Sequence, residues 1–227
     1  MARITRRQKA NMEIAAKGKM PHSVTEAVKL LKTYPATKFD QTVEIAVHLS
    51  IDPRQADQQL RGSVSMPKGV GRSAKVVCFC GKDKEDAAKA AGAIEAGSEE
   101  LVKKIEGGWI DFDVAIASPD MMRFVGKLGR QLGPKGLMPS PKAGTVTPDI
   151  ETAVAEFAAG KVEYRNDDGG NIHCIVGKIS FSEDDLTENL NFFINLISKA
   201  RPAAVKGEFI KNCSISATMT PSVKVAV

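Results

Sequence analysis

The sequence predicts two domains. The first is an α+β domain assembled from both ends of the chain, with a sheet of split β-α-β-like connection and helices on one side. The second is an α/β domain of the doubly wound, Rossmann-like kind, inserted between the two halves of the first. Three observations carry this. Thr42 to Ile51 and Lys211 to Thr220 alternate apolar with polar residues, the period of a sheet with one buried face. The middle runs Val76-Val77 and Val114 to Ala117 are apolar without strict alternation, as suits strands covered by helices on both faces. Two joints, Pro67-Lys68-Gly69-Val70-Gly71 and Gly160, divide residues 1–67 and 160–227 from residues 68–159, and a paired linker of this kind favours hinge motion.

Each element has a local reason. Ser23 and Glu26 stand in the S-x-x-E spacing of a capping box and open a short helix through AVKLLK, which Pro35 closes off. Val43, Ile45, Val47, Leu49 and Ile51 then mark the core face of a strand, and residues 60–66, LRGSVSM, offer another. In the middle third come the strand AKVVCFC, a helix from Lys84, a second from Ser98, the strand DVAIA, a helix from Pro119 and one from Asp149. KVEYR, NIHCIV and KISF read as short strands broken at Asp168-Gly169-Gly170 and at Gly177. Ser182 caps a long helix through Ala200, with Pro202 just beyond. In the last strand Cys213, Ile215, Ala217 and Met219 form the core face, and Ser214, Ser216, Thr218 and Thr220 a hydroxyl-lined one.

Residues 126–145, GKLGRQLGPKGLMPSPKAGT, hold five glycines, three prolines and four cations with no carboxylate. Such a composition disfavours an ordinary helix or central strand and predicts an ordered loop. Lys127, Arg130, Lys135 and Lys142 would present a fixed cationic surface to an anionic polymer; the same side chains would equally serve a solvated connection. The net charge of +5 is concentrated at the amino terminus, where residues 1–20 carry six cations and the single acid Glu13. Attraction to nucleic acid is therefore local, and a solvated basic tail is the competing reading. No apolar run approaches the roughly 20 residues of a membrane helix. The first residues lack the apolar centre of a secretory signal, and although Arg3, Arg6, Arg7 and Lys9 have a flavour of an organelle presequence, Glu13 and the run into ordered sequence favour a cytoplasmic protein.

The sequence argues against catalysis. Neither G-x-G-x-x-G nor G-x-x-x-x-G-K-[ST] occurs, and the strand ending at Cys80 is followed by Asp83, Glu85 and Asp86, which would repel a phosphate at that helix start. There is no G-x-S-x-G. The pairs Asp111/Asp113 and Asp167/Asp168 lie in glycine-rich turns, where acids usually cap and form turns. Cys78 and Cys80 share one face of a strand, and Cys174 and Cys213 stand apart, without zinc spacing. No cofactor or metal is expected.

Several long segments resemble a known family: FVGKLGRQLGPKGLMPSPKAGT at 124–145, KFDQTVEIAVHLSIDPRQADQQLRGSVSMPKGVG at 38–71, GGWIDFDVAIASPDMM at 107–122, YRNDDGGNIHCIVGK at 164–178 and TMTPSV at 218–223. In order and over nearly the whole chain, they look like the bacterial branch of the large-subunit ribosomal protein L-one family, the protein of the mobile ribosomal stalk. The resemblance implies a discontinuous first domain holding the main RNA site and an inserted second domain. It further implies direct binding to large-subunit rRNA, assistance in releasing deacylated tRNA from the exit site, repression of translation from its own operon mRNA, a monomer off the ribosome, and no catalysed reaction. The family's principal RNA-contact positions fall on Lys38, Phe39 and nearby Thr42, and on Thr218, Met219 and Thr220, with Ser216 on the same strand face. One departure stands out, since the family usually has glycine where this chain has Thr220, and glycine allows the closest backbone approach to RNA.

Those residue types suit structured RNA on physical grounds as well. The hydroxyls of Ser216, Thr218 and Thr220 can meet 2′-hydroxyl and phosphate oxygens, and Phe39 and Met219 can lie against riboses or bases. Without the resemblance, Phe39 reads as core and Ser216 and Thr218 as a solvated strand face. Arg54, Arg130, Lys135 and Arg165 are candidates for tRNA or phosphate contact, or plain surface charge. A scaffold whose inserted domain docks another protein is the alternative class of function, and salt-sensitive binding without RNA selectivity would favour it. A nucleotide-dependent enzyme would have to carry bound nucleotide when purified.

Overall fold

The computed structural model describes residues 4–17 and 20–226. Arg3 and Lys19, part of the basic amino-terminal segment, lie outside the described residues. The elements begin with α1 (Arg6–Lys17), α2 (Val24–Lys32), β1 (Thr42–Leu49) and β2 (Arg61–Val64). Then come β3 (Val76–Phe79), α3 (Glu85–Ala90), β4 (Glu95–Gly97), α4 (Glu99–Glu106), β5 (Val114–Ala117), α5 (Met122–Val125), α6 (Gly129–Leu132) and α7 (Ile150–Ala158). The chain continues with β6 (Val162–Arg165), β7 (Asn171–Lys178), α8 (Glu183–Lys199), β8 (Ile210–Ala217) and β9 (Val223–Val225). β2 and β6 pair in a two-stranded sheet. The fold is thus a mixed one of helices and several sheets, and the chain divides into two compact units, Met1–Gly71 with Tyr164–Val227, and Arg72–Glu163.

In the first unit β1 lies between β7 and β8, antiparallel to both, in a sheet of order β7-β1-β8-β9. Its core face carries Val43, Ile45, Ile172, Cys174, Cys213 and Ile215, all buried. Against the sheet pack α2, through Ala27, Val28 and Leu31, and α8, through Leu186, Leu190, Phe193 and Ile197. The capping box of α2 is complete: Ser23 Oγ accepts from Glu26 N, and Glu26 Oε2 accepts from Ser23 N at 3.2 Å. Asn189 is the polar exception on α8. It is fully buried, accepts from Lys68 N at 3.1 Å, and donates to the carbonyls of Gly69 at 3.0 Å and Val176 at 2.8 Å. A buried amide so fully paired fixes the 68–69 segment to the sheet.

In the second unit β3 is central in a parallel sheet of order β4-β3-β5. Val77 and Phe79 pack beneath Leu101, Val102 and Ile105 of α4 and Val125, Leu128 and Leu132 from the 119–132 segment. Val76, Cys78 and Cys80 pack on the opposite face with Ala88 of α3 and Val154 and Phe157 of α7. The two cysteines share that face, as their spacing requires.

Four local expectations need correction. Residues 126–132 are not loop: short helical turns run on from Pro119 through Leu132, because Val125, Leu128 and Leu132 are all fully buried at helical spacing, and that burial outweighs the glycines. Gly177 does not break β7, which runs through it to Lys178; a register shift lies there instead, Val43 opposing Gly177 and Glu44 opposing Ile175. Residues 179–181 are then a turn and not a further strand. Finally, β8 stops at Ala217, so Thr218 to Thr220 form a turn.

Candidate nucleic-acid interface

One end of the four-stranded sheet gathers residues from distant parts of the sequence. Thr42 opens β1 and lies opposite Lys178 at the end of β7, while Val43 lies opposite Ala217 at the end of β8. The 218–220 turn is therefore held directly beside the 38–42 segment. Thr218 N donates to Thr42 O at 3.0 Å, Thr42 N donates to Thr218 Oγ1 at 3.2 Å, and Thr218 Oγ1 donates to Thr42 O at 3.3 Å. Gln41, buried, donates from Nε2 to Thr218 O at 2.6 Å. On the other flank Gln41 O accepts from Ile179 N, and Asp40 accepts from Ser180 Oγ at 2.8 Å.

Two apolar side chains stand out of this polar lattice. Phe39 is 52% exposed and Met219 60%. Strand alternation assigned Met219 to the core; the end of β8 at Ala217 releases it, and it takes φ of +71°, the only non-glycine in the left-handed region among the described residues. That conformation costs about 1–2 kcal/mol for an L-residue. Thr220 braces it. Its Oγ1 accepts from Ala217 N at 3.0 Å and donates to Ala217 O at 2.9 Å, closing the turn across Met219. The Thr220 side chain thus folds onto its own backbone, and its hydroxyl, like that of Thr218, is already engaged inside the protein. Of the four hydroxyls of this cluster, those of Thr42, Thr218 and Thr220 are bonded within the protein, while Ser216, half-buried on the uncovered face opposite Glu44, is left for an outside partner.

Lys38 is exposed beside Phe39. Arg54 and Arg165 are exposed too, but at the opposite end: Arg54 follows the far end of β1, and Arg165 adjoins Asn166, which bridges to Ile172. The seven-residue rise of β1, about 23 Å, separates them from Thr42. Arg130 and Lys135 belong to the second unit.

A model of the ribosomal protein L1p/L10e family matches residues 30–221, which includes every residue of this cluster. The chain belongs to that family. It is 53% identical over 203 residues to the large ribosomal subunit protein uL1 of Lactobacillus acidophilus, covering 89% of this chain and 88% of that protein. It is 52% identical over 203 residues, with the same coverage, to the large ribosomal subunit protein uL1 of Lactobacillus delbrueckii subsp. bulgaricus. Membership makes this chain a structural protein of the large ribosomal subunit, at work on the ribosome in the cytoplasm, and not an enzyme. No helix among the described residues is long and apolar enough to cross a membrane.

Within this L1-family chain, the second unit orders its cations differently from a loop. Arg123, Lys127 and Arg130 follow one another at helical spacing, all exposed, with Arg123 and Lys127 stacked on the Phe124 ring at 4.7 and 5.8 Å. None of the three forms an ion pair among the described residues. Gln41 and Lys178 were missed by sequence reasoning. Gln41 resembles any exposed polar residue between two strand signals. Continuing the alternation of Ile172, Cys174 and Val176 would put Lys178 in the core, and only the register shift turns it to the side of Thr42.

Proposed function

We propose that this protein binds large-subunit rRNA directly at the mobile stalk through Lys38, Phe39, Thr42, Ser216, Thr218, Met219 and Thr220, and that the same surface recognises its own operon mRNA and represses its translation. In this reading residues 1–67 and 160–227 form the RNA-binding domain and residues 68–159 an inserted doubly wound domain. The protein, a monomer off the ribosome, assists release of deacylated tRNA from the exit site, and Arg54, Arg130, Lys135 and Arg165 supply phosphate contacts to that tRNA.

The observation that carries this reading is the juxtaposition of exposed Phe39 and exposed Met219 on a rigid, hydrogen-bonded strand end. Structured RNA is read by shape, by stacking on apolar and aromatic side chains, and by contacts to 2′-hydroxyls. A platform whose own hydroxyls and amide are already engaged presents a fixed relief, and fixed relief is what shape selection needs. Strand twist and the core face hold that relief in place. With Thr218 and Thr220 bonded internally, Ser216 and the carbonyl edges remain for polar contact, while Phe39 and Met219 supply the apolar surface.

The test is a titration against the stalk segment of large-subunit rRNA and against a scrambled RNA of equal length, at low and high salt. Preference for the stalk segment that persists at high salt is expected, because the shape-dependent part of binding does not rest on counterion release. Phe39→Ala should weaken stalk binding by about 1–3 kcal/mol, the scale of one stacked base. Equal binding of both RNAs, lost with salt and unaffected by Phe39→Ala, would overturn the reading.

A further inference from the structure

We propose that Lys178 is a phosphate-binding residue of this interface, a role that rests on the RNA-binding reading above and extends it to a side chain outside the seven contact positions. Lys178 ends β7 directly opposite Thr42. Its ammonium donates to Thr42 Oγ1 at 2.8 Å in a half-buried setting. An ammonium has three donors and no acceptor, so two N–H groups remain after that bond. Among the described residues no carboxylate lies within 4.0 Å of it. Asp40, the acid of the neighbouring segment, is turned to Ser180 instead, accepting from its Oγ at 2.8 Å and its N at 3.3 Å.

A positioned, half-buried cation without a counter-charge is unusual in a folded protein, because partial desolvation disfavours the charge unless something neutralises it. Of the other half-buried lysines, Lys161 pairs with Glu156 at 2.7 Å, whereas Lys32 also has a neutral partner, the carbonyl of Phe181. Lys178 has only a hydroxyl. Its stem runs past Gly71, where an added Cβ would come within 2.9 Å of Lys178 Cγ. Together with the bond to Thr42 this positions the charge at the strand end, and a positioned group has less freedom to lose on binding. The anion that satisfies two remaining N–H donors at a strand end lined by Phe39 and Met219 is a backbone phosphate of the RNA whose riboses or bases lie on those side chains.

The experiment is a salt series of binding to the stalk RNA and to the scrambled RNA, with wild type, Lys178→Met, Lys178→Arg and Phe39→Ala, each checked for folding by circular dichroism. Lys178→Met should weaken binding to both RNAs about tenfold at low salt, as loss of a charge-assisted bond does. It should also flatten the dependence of log K on log salt by about 0.7 to 0.9, one phosphate's worth of counterion release. Lys178→Arg should restore the slope. A Lys178→Met slope equal to wild type, even with lowered affinity, would overturn the proposal and leave Lys178 as a support for Thr42. If Phe39→Ala binds normally while Lys178→Met flattens the slope, the phosphate site stands and the apolar part of the interface falls. If neither variant differs from wild type, both fall.

Discussion

Met219 and Thr220 show how a single residue change can alter a site without filling it. A threonine where the resemblance leads one to expect glycine suggests a steric obstacle, yet here the side chain turns inward and its hydroxyl is bonded twice to Ala217. The left-handed backbone of Met219 is then supported by a brace that glycine cannot offer. Thr220→Val, which keeps the shape and removes the hydroxyl, should lower the free energy of unfolding in urea by about 1–2 kcal/mol, the net worth of two modest hydrogen bonds. Thr220→Ser should stay near wild type. Equal stability of the valine variant would show that the brace contributes nothing. The composition of Thr218-Met219-Thr220 was plain in the sequence, but its conformation was not. Alternation continues on paper through Thr220, and only the end of pairing at Ala217 shows which hydroxyls point inward.

At the scale of elements, legibility tracked how locally each element is determined. The α2 cap and the alternation of β1 depend on neighbours in sequence, and both were evident there. β4, Glu95–Gly97, has no β-branched residue, and its strand state comes from pairing with Val77 to Phe79, information that lies elsewhere in the chain. The 126–132 turns were hidden for the opposite reason, since their glycines argued for loop while Val125, Leu128 and Leu132, interleaved with them and buried in the core, decided for helix. The register shift in β7 was likewise invisible, because one extra residue reverses which face every later side chain takes. Gly177 sits at that shift, and a Cβ there would lie 3.1 Å from both Leu186 Cδ2 and Phe181 Cδ2. Gly177→Val should therefore destabilise the fold by about 1–3 kcal/mol through overpacking. It should also move the backbone amide signals of Thr42 and Thr218 in a nuclear magnetic resonance spectrum; unchanged signals there would mean that the shift does not set the interface.

Over the whole molecule, the four buried cysteines divide evenly, Cys174 and Cys213 in the first unit and Cys78 and Cys80 in the second. Burial pushes the thiols of Cys174 and Cys213 up to about 12 and raises those of Cys78 and Cys80 as well, so the thiolate that reacts is scarce in the folded state at pH 8. Alkylation at pH 8 along a urea series, read by mass spectrometry, should leave all four untouched in the absence of denaturant and then label them in two pairs with separate midpoints. A single shared midpoint would mean that the units do not unfold independently. The two ends of the chain, legible as alike in pattern, are joined in the structure by β1 standing between β7 and β8. That order has a consequence for how the protein is made. When β1 leaves the ribosome that is synthesising it, neither neighbour exists. More than a hundred residues, including the locally connected parallel sheet, must follow before the first edge of β1 is covered, on the order of ten seconds at ordinary elongation rates. Thr42 can meet Thr218 only after residue 218 has been made, so this strand end is missing from every nascent chain shorter than that.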